Sequence, residues 1–140
     1  MKDRLYTSNK IEVRKSPLHG YGVFAKEDIK FGELLEECHI AKYTKITEKE
    51  KVYGIDRIKY TWPKNGGSLP TAKAFPYAIA LGYGSIYNSS TSAKQATADW
   101  ETDMDNELII FTAINNIKKD EEILIYYYAI IQMEQRNVVT

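Results

Sequence analysis

The sequence predicts a mainly-β domain of barrel-like character. Short apolar segments recur along the chain, several of them alternating apolar with polar residues at period two. Gly, Pro, Asn and Asp punctuate these segments, and helical patterning is confined to a few short stretches. Many short strands with few helices point to a sheet-built architecture. A chain of 140 residues holds one domain around a single core and leaves no room for a second.

Taken in order, Ile11 to Arg14 alternates as a first strand before Ser16, Pro17 and Gly20 interrupt it. Tyr21 to Ala25 is a second apolar run, and the charged stretch Lys26 to Gly32 turns the chain. Glu33 to Ile40 reads as the third strand. Thr47-Glu-Lys-Glu50 has the spacing at which a hydroxyl and a carboxylate cap the free amides of a helix start. A short helix is therefore expected over Glu48 to Tyr53. Pro63 to Lys73 is rich in Gly, Pro and polar residues, the composition of a loop. The small apolar residues after Ala74 suggest a buried helical turn at Tyr77 to Leu81. Ala98 to Thr102 and Leu108 to Ala113 make the arms of a hairpin with Asp103 to Glu107 as its loop. Ile123 to Tyr127 is the last strand, and alternation puts Ile123, Ile125 and Tyr127 on one face. The tail beyond Ile130 makes a helical turn or frays.

Composition excludes several functions. Nineteen basic and nineteen acidic side chains cancel, so no global field draws the chain to nucleic acid or anionic lipid. No apolar run approaches the ~18 residues of a membrane helix. The first residues lack the apolar stretch of a signal peptide, so a cytoplasmic location is expected. Cys38, the single cysteine, lies in the apolar-flanked run Leu34 to Ile40 and reads as a reduced core residue. With only His19 and His39 beside it, no zinc site is expected. Asp99, Glu101, Asp103, Asp105 and Glu107 alternate, either as an acidic ridge for a Lys-rich peptide or as a solvated hairpin edge.

Three separated segments carry the chemistry. Gly20-Tyr-Gly22 allows positive φ and close approach of the backbone to a ligand. Read on to Ala25 it mimics a dinucleotide fingerprint, but Lys15-Ser-Pro-Leu-His19 directly precedes it in place of a hydrophobic strand, and Val23-Phe24 continues as strand in place of a helix. Asn88-Ser89-Ser90 ends an apolar stretch, and Asp120-Glu-Glu-Ile123 leads into the triplet Tyr126 to Tyr128.

In order and spacing these segments resemble the SET domain, the fold of S-adenosylmethionine-dependent lysine methyltransferases. The chain looks closest to the short, stand-alone SET proteins of bacteria and large viruses. The likeness covers about residues 11–128, with a short insert at about 39–77 and a tail at 129–140, and makes the whole chain one SET domain. It implies a β-clip: small curved sheets, a C-terminal segment threaded as a pseudoknot, and one or two short helices.

The resemblance also implies roles. Gly20, Tyr21 and Gly22 would hold the methionine part of S-adenosylmethionine, and Asn88 its charged amino-acid end. Ser89 stands where the family usually carries His, and the Pro-Asn that usually follows is absent. Ser89 still offers its backbone to the adenine but not an imidazole, which implies weaker cofactor binding. Tyr127 falls on the catalytic tyrosine and borders both cofactor and substrate. Tyr60 and Tyr83 fall among the aromatic residues of a lysine channel. Asp120 replaces the usual Gly of its turn, a position that Asp tolerates.

Methyl transfer to an amine is an in-line displacement in which positioning dominates. The attacking lysine must be neutral, which at pH 7 costs roughly 4.6 kcal/mol from its reference pKa of about 10.4. A dry aromatic channel disfavours the ammonium and lowers that cost. The expected partner is a lysine-containing protein, and by resemblance to viral relatives a homodimer is plausible. A competing reading is a degenerate SET module that binds a protein or the cofactor without turnover. A hydrolase would need a partnered nucleophile and histidine, which no motif supplies.

Overall fold

A computed structural model describes residues 3–43, 59–64 and 77–126, and these form nine strands joined in one mixed sheet. β1 (Ile11–Lys15) and β2 (Tyr21–Ala25) make the first antiparallel pair, with Ile11 opposite Ala25 and Lys15 opposite Tyr21. β3 (Leu34–Tyr43) runs past the Ile40 limit expected from sequence because it changes partners. Leu34 to His39 pair with β8 (Leu108–Ala113), and Ile40 to Tyr43 then pair with β5 (Tyr77–Ala80). β4 (Lys59–Thr61) lines the other edge of β5. β7 (Ala98–Asp103) and β8 form the expected hairpin, in register from Ala98 opposite Ala113 to Asp103 opposite Leu108.

The segment at Tyr77 corrects the expectation of a helical turn. Ala78 and Ile79 pair with both β3 and β4, Ala80 pairs with β3, and all three are buried. Small side chains favour a helix locally, but here they let neighbouring strands approach, and sheet pairing overrides propensity. The only helix among the described residues is the 3₁₀ turn Ala93–Gln95. The expected helix at Glu48 to Tyr53 and most of the loop at Pro63 to Lys73 lie outside the described residues.

β9 (Glu122–Ile125) ties the domain together. It is antiparallel to β2 and parallel to both β6 (Asn88–Ser89) and β7. The Ser90 N–H donates to the Ile125 carbonyl at 2.8 Å, and the Thr97 N–H donates to the Leu124 carbonyl at 2.9 Å. Successive residues of a strand direct their polar groups to opposite edges. The segment from Ser90 to Thr97 thus passes around the end of β9, and the last strand is held as a threaded element. This is the pseudoknotted β-clip that the resemblance implies.

Ile123 and Ile125 have no exposed surface, which fixes the inward face of β9. The core beside it is aromatic. The Tyr60 ring meets Trp100 at 4.8 Å and Phe111 at 5.9 Å, both edge-on, while Tyr87 stacks on Phe111 at 4.5 Å. Cys38 is buried among these strands with a free thiol, as expected of a core residue.

Candidate active site

The loop between β1 and β2 is closed by its own hydrogen bonds. The Ser16 N–H donates to the Gly20 carbonyl at 2.7 Å, and the Ser16 hydroxyl accepts the Leu18 N–H at 3.0 Å. Gly20 completes the turn at φ +48°, in the left-handed region where a side chain is disfavoured. The outer surface of the loop is open, with Leu18 and Tyr21 exposed by 45% and 66%.

Asn88 reaches this loop from β6. Its Nδ2 donates to the Glu122 carboxylate at 2.7 Å and faces the carbonyls of His19 at 3.1 Å and Tyr21 at 3.2 Å. The other carboxylate oxygen of Glu122 accepts the Ser16 hydroxyl at 2.7 Å. Gly22 makes room for this junction: a Cβ there would fall 2.1 Å from Glu122 Oε2 and 3.0 Å from Asn88 Nδ2. An amide nitrogen carries two hydrogens, yet three acceptors surround this one. The junction is therefore rich in acceptors and poor in donors.

The tyrosines take different places. Tyr60 is fully buried, and its hydroxyl donates to the Gly84 carbonyl at 2.6 Å. It sits in the core and supports the turn after β5 from within. Tyr83 lies on that turn, partly buried against the core, and its N–H donates to Glu36 Oε2 at 3.3 Å. Glu36 is only 2% exposed, and burial pushes its carboxyl pKa up. The Tyr87 hydroxyl, the Tyr83 amide and the Cys38 thiol pull it the other way. Burial, followed by the neighbouring Glu36, pushes the Cys38 thiol up, which makes it a poor nucleophile.

Ser89 is buried beside Asn88, and its hydroxyl donates to the Ser90 carbonyl at 3.0 Å. Tyr127 lies outside the described residues. Asp120 adopts φ +72°, so the Asp at the usual glycine position does hold a left-handed turn. The alternating acids are partly matched: Lys64 pairs with Asp99 at 2.9 Å and Glu101 at 3.5 Å, and Lys42 pairs with Glu107 at 2.6 Å. The Asp103 carboxylate is turned back onto Asn106. Among the described residues no group of His, Cys, Asp or Glu could hold a metal ion, and no helix is long and apolar enough to cross a membrane.

Gly20, Tyr21, Gly22 and Asn88 thus meet at one point, although more than sixty residues separate the loop from Asn88. Sequence reasoning missed Ser16 and Glu122, which complete the junction. Glu122 stands within the quoted Asp120-Glu-Glu-Ile motif, but only the approach of β9 to β2 gives it a partner.

A family model described as the SET domain matches residues 20–128. The chain belongs to the SET-domain family. Solved SET-domain structures agree. A Plasmodium falciparum protein described as a candidate histone methyltransferase is 31% identical with a TM-score of 0.61, over 86% of this chain and 94% of that one. The Neurospora SET domain protein DIM-5, a histone lysine methyltransferase, is 18% identical with a TM-score of 0.57, over 84% of this chain and 51% of that one. A humanised mutant of the Chaetomium thermophilum Polycomb Repressive Complex 2 bound to an inhibitor matches 87% of this chain and 16% of its own, at 22% identity and a TM-score of 0.57. This SET domain spans about half or less of the last two chains, and at those identities they speak for the fold alone. No curated protein matches the sequence.

Proposed function

We propose that this SET domain is a protein-lysine N-methyltransferase that uses S-adenosylmethionine. The observation that carries the reading is the junction of the Gly20–Gly22 loop, Asn88 and Glu122. Its three acceptors exceed the two hydrogens of the Asn88 amide. The surplus suits an ammonium, the group at the amino-acid end of this cofactor. Residue 22 has no side chain, which lets Glu122 and Asn88 close on the main chain of the loop, and the exposed face of the loop leaves a way in.

When bound, S-adenosylmethionine supplies a methyl group on a sulfonium, ready for in-line transfer to an amine. The loop 19–22 and Asn88 would hold the amino-acid end, and the backbone at Ser89 would meet the adenine. Tyr83, on the turn above Glu36, would form part of the lysine channel. Tyr60, whose hydroxyl already serves Gly84, would shape that channel from behind. Tyr127 would orient the neutral amine through its hydroxyl. Positioning is the main demand of such a transfer, and a fixed junction between loop, β6 and β9 meets it.

Ser89 favours a second reading, a SET module that binds without turnover, because its hydroxyl is spent on the adjacent carbonyl and cannot replace an imidazole under the cofactor. Calorimetry with S-adenosylmethionine and S-adenosylhomocysteine tests for the cofactor, and methyl transfer from labelled cofactor separates the enzyme from a module that only binds it. Saturable binding that Asn88→Ala abolishes supports the enzyme, and silence from both ligands supports the module. Mass spectrometry of a lysate incubated with the protein and labelled cofactor then identifies the methylated lysine.

A further inference from the structure

Among the described residues Glu36 is the only acidic or basic side chain that is fully buried, and the methyl-transfer reading gives it no task. A bulge in β3 between Leu34 and Glu36 puts it there: the register against β8 slips, and the successive side chains of Leu35 and Glu36 are both buried. An apolar residue would be easier to bury, since an ionisable group in the interior loses its hydration. What Glu36 touches explains the choice. The turn after β5 lies directly over its carboxyl: the Tyr83 N–H donates to Oε2, and a Cβ at Gly82 would come within 3.1 Å of the same oxygen. From its other side the turn is held by the Tyr60 hydroxyl on the Gly84 carbonyl, and its base is closed by the Ser85 hydroxyl on the Ala80 carbonyl at 2.7 Å. The chain then runs through Tyr87, whose hydroxyl faces Glu36, straight into Asn88.

We infer that Glu36 is a positioning residue, whose carboxyl holds the Gly82–Tyr87 segment so that Tyr83 and Asn88 keep a fixed separation. The naming of those two as the lysine and cofactor ends rests on the methyltransferase reading; the hold on the turn does not. Burial with no cation at hand favours the protonated form of the Glu36 carboxyl. The groups that face it are the Tyr83 amide, the Tyr87 hydroxyl and the Cys38 thiol, and none of them is cationic. Oε1 is buried and completes no hydrogen bond of ordinary geometry, so a full carboxylate charge there would go partly unmet.

The full chain with Glu36→Gln and with Glu36→Leu tests this, by hydrogen exchange at the Tyr83 amide across pH and by calorimetric titration with S-adenosylhomocysteine. Glutamine keeps the shape and the neutral polarity, so protection at Tyr83 stays near the parent value and loses its decline toward alkaline pH. Leucine keeps the volume without the acceptor, so protection at Tyr83 falls about tenfold and ligand affinity falls with it. The inference is overturned if leucine leaves Tyr83 protection unchanged, or if glutamine is as damaging as leucine, which would show that a charge is required. If leucine prevents folding, the glutamine pH profile decides alone. A parent chain that binds no S-adenosylhomocysteine sinks the methyltransferase reading, while exchange at Tyr83 still decides what Glu36 holds.

Discussion

The Asn88 amide donates to the Glu122 carboxylate across 2.7 Å, joining strands whose residues stand 34 positions apart. That bond passes over Gly22, and it links the loop, β6 and the threaded β9 in one polar junction. The first two predictions follow from it.

Gly22→Ala places a methyl group inside the Glu122 carboxylate and forces that side chain off Asn88. Stability should fall by about 1–3 kcal/mol, because a half-buried polar network loses a partner. Urea unfolding measures the loss, and titration with S-adenosylhomocysteine should show weaker binding.

Asn88→Asp should be worse than Asn88→Ala. The aspartate would face the Glu122 carboxylate and the carbonyls of His19 and Tyr21 with no hydrogens to give. Its pKa is thereby raised in the fold, so the damage should appear as pH rises and fade on acidification. Thermal melts at pH 5 and pH 8 compare the two variants.

Tyr60→Phe removes the donor to the Gly84 carbonyl and keeps the ring contacts with Trp100 and Phe111. The cost should be about 1–3 kcal/mol, the penalty for an orphaned buried acceptor. A cost near zero in chemical denaturation would mean that the hydroxyl does not hold this turn.

Tyr127→Phe tests the catalytic assignment. Turnover should drop at least about tenfold with cofactor affinity nearly unchanged, since on that assignment the hydroxyl orients the amine during transfer. Single-turnover kinetics with labelled cofactor reads the effect, and undiminished turnover would remove Tyr127 from the mechanism.

Glu36 makes stability depend on pH. Its pKa is raised in the fold above the ordinary value of 4.5, so the folded chain holds a proton that the unfolded chain releases. Its contribution is fully present below that ordinary value and is lost as pH rises through the raised one. Melts of the parent chain should show this decline, and Glu36→Gln should flatten it.

Much of the architecture was legible along the chain. β1 and β7 follow the alternation of their apolar residues, because a strand with one buried face must repeat every second position, while their partners β2 and β8 show as short apolar runs buried at successive positions. The loop with its two glycines and the Asn at the end of an apolar stretch stood out as candidate residues for holding a ligand. The segment at Tyr77 misled because alanines fit a buried helix and a close-packed central strand equally well. Glu36 gave no signal at all, since in a row of two glutamates nothing marks which one a bulge will turn inward.

Fold class, family and the candidate residues for a charged cofactor could all be read along the chain. These are local matters of periodicity, backbone freedom and motif order. That Glu122 and Ser16 complete the Asn88 junction, that Tyr60 serves the core, and that Glu36 sits beneath Tyr83 emerged only in three dimensions. Each depends on contacts between distant strands, and such contacts exist only once β9 has been threaded and the sheet has closed.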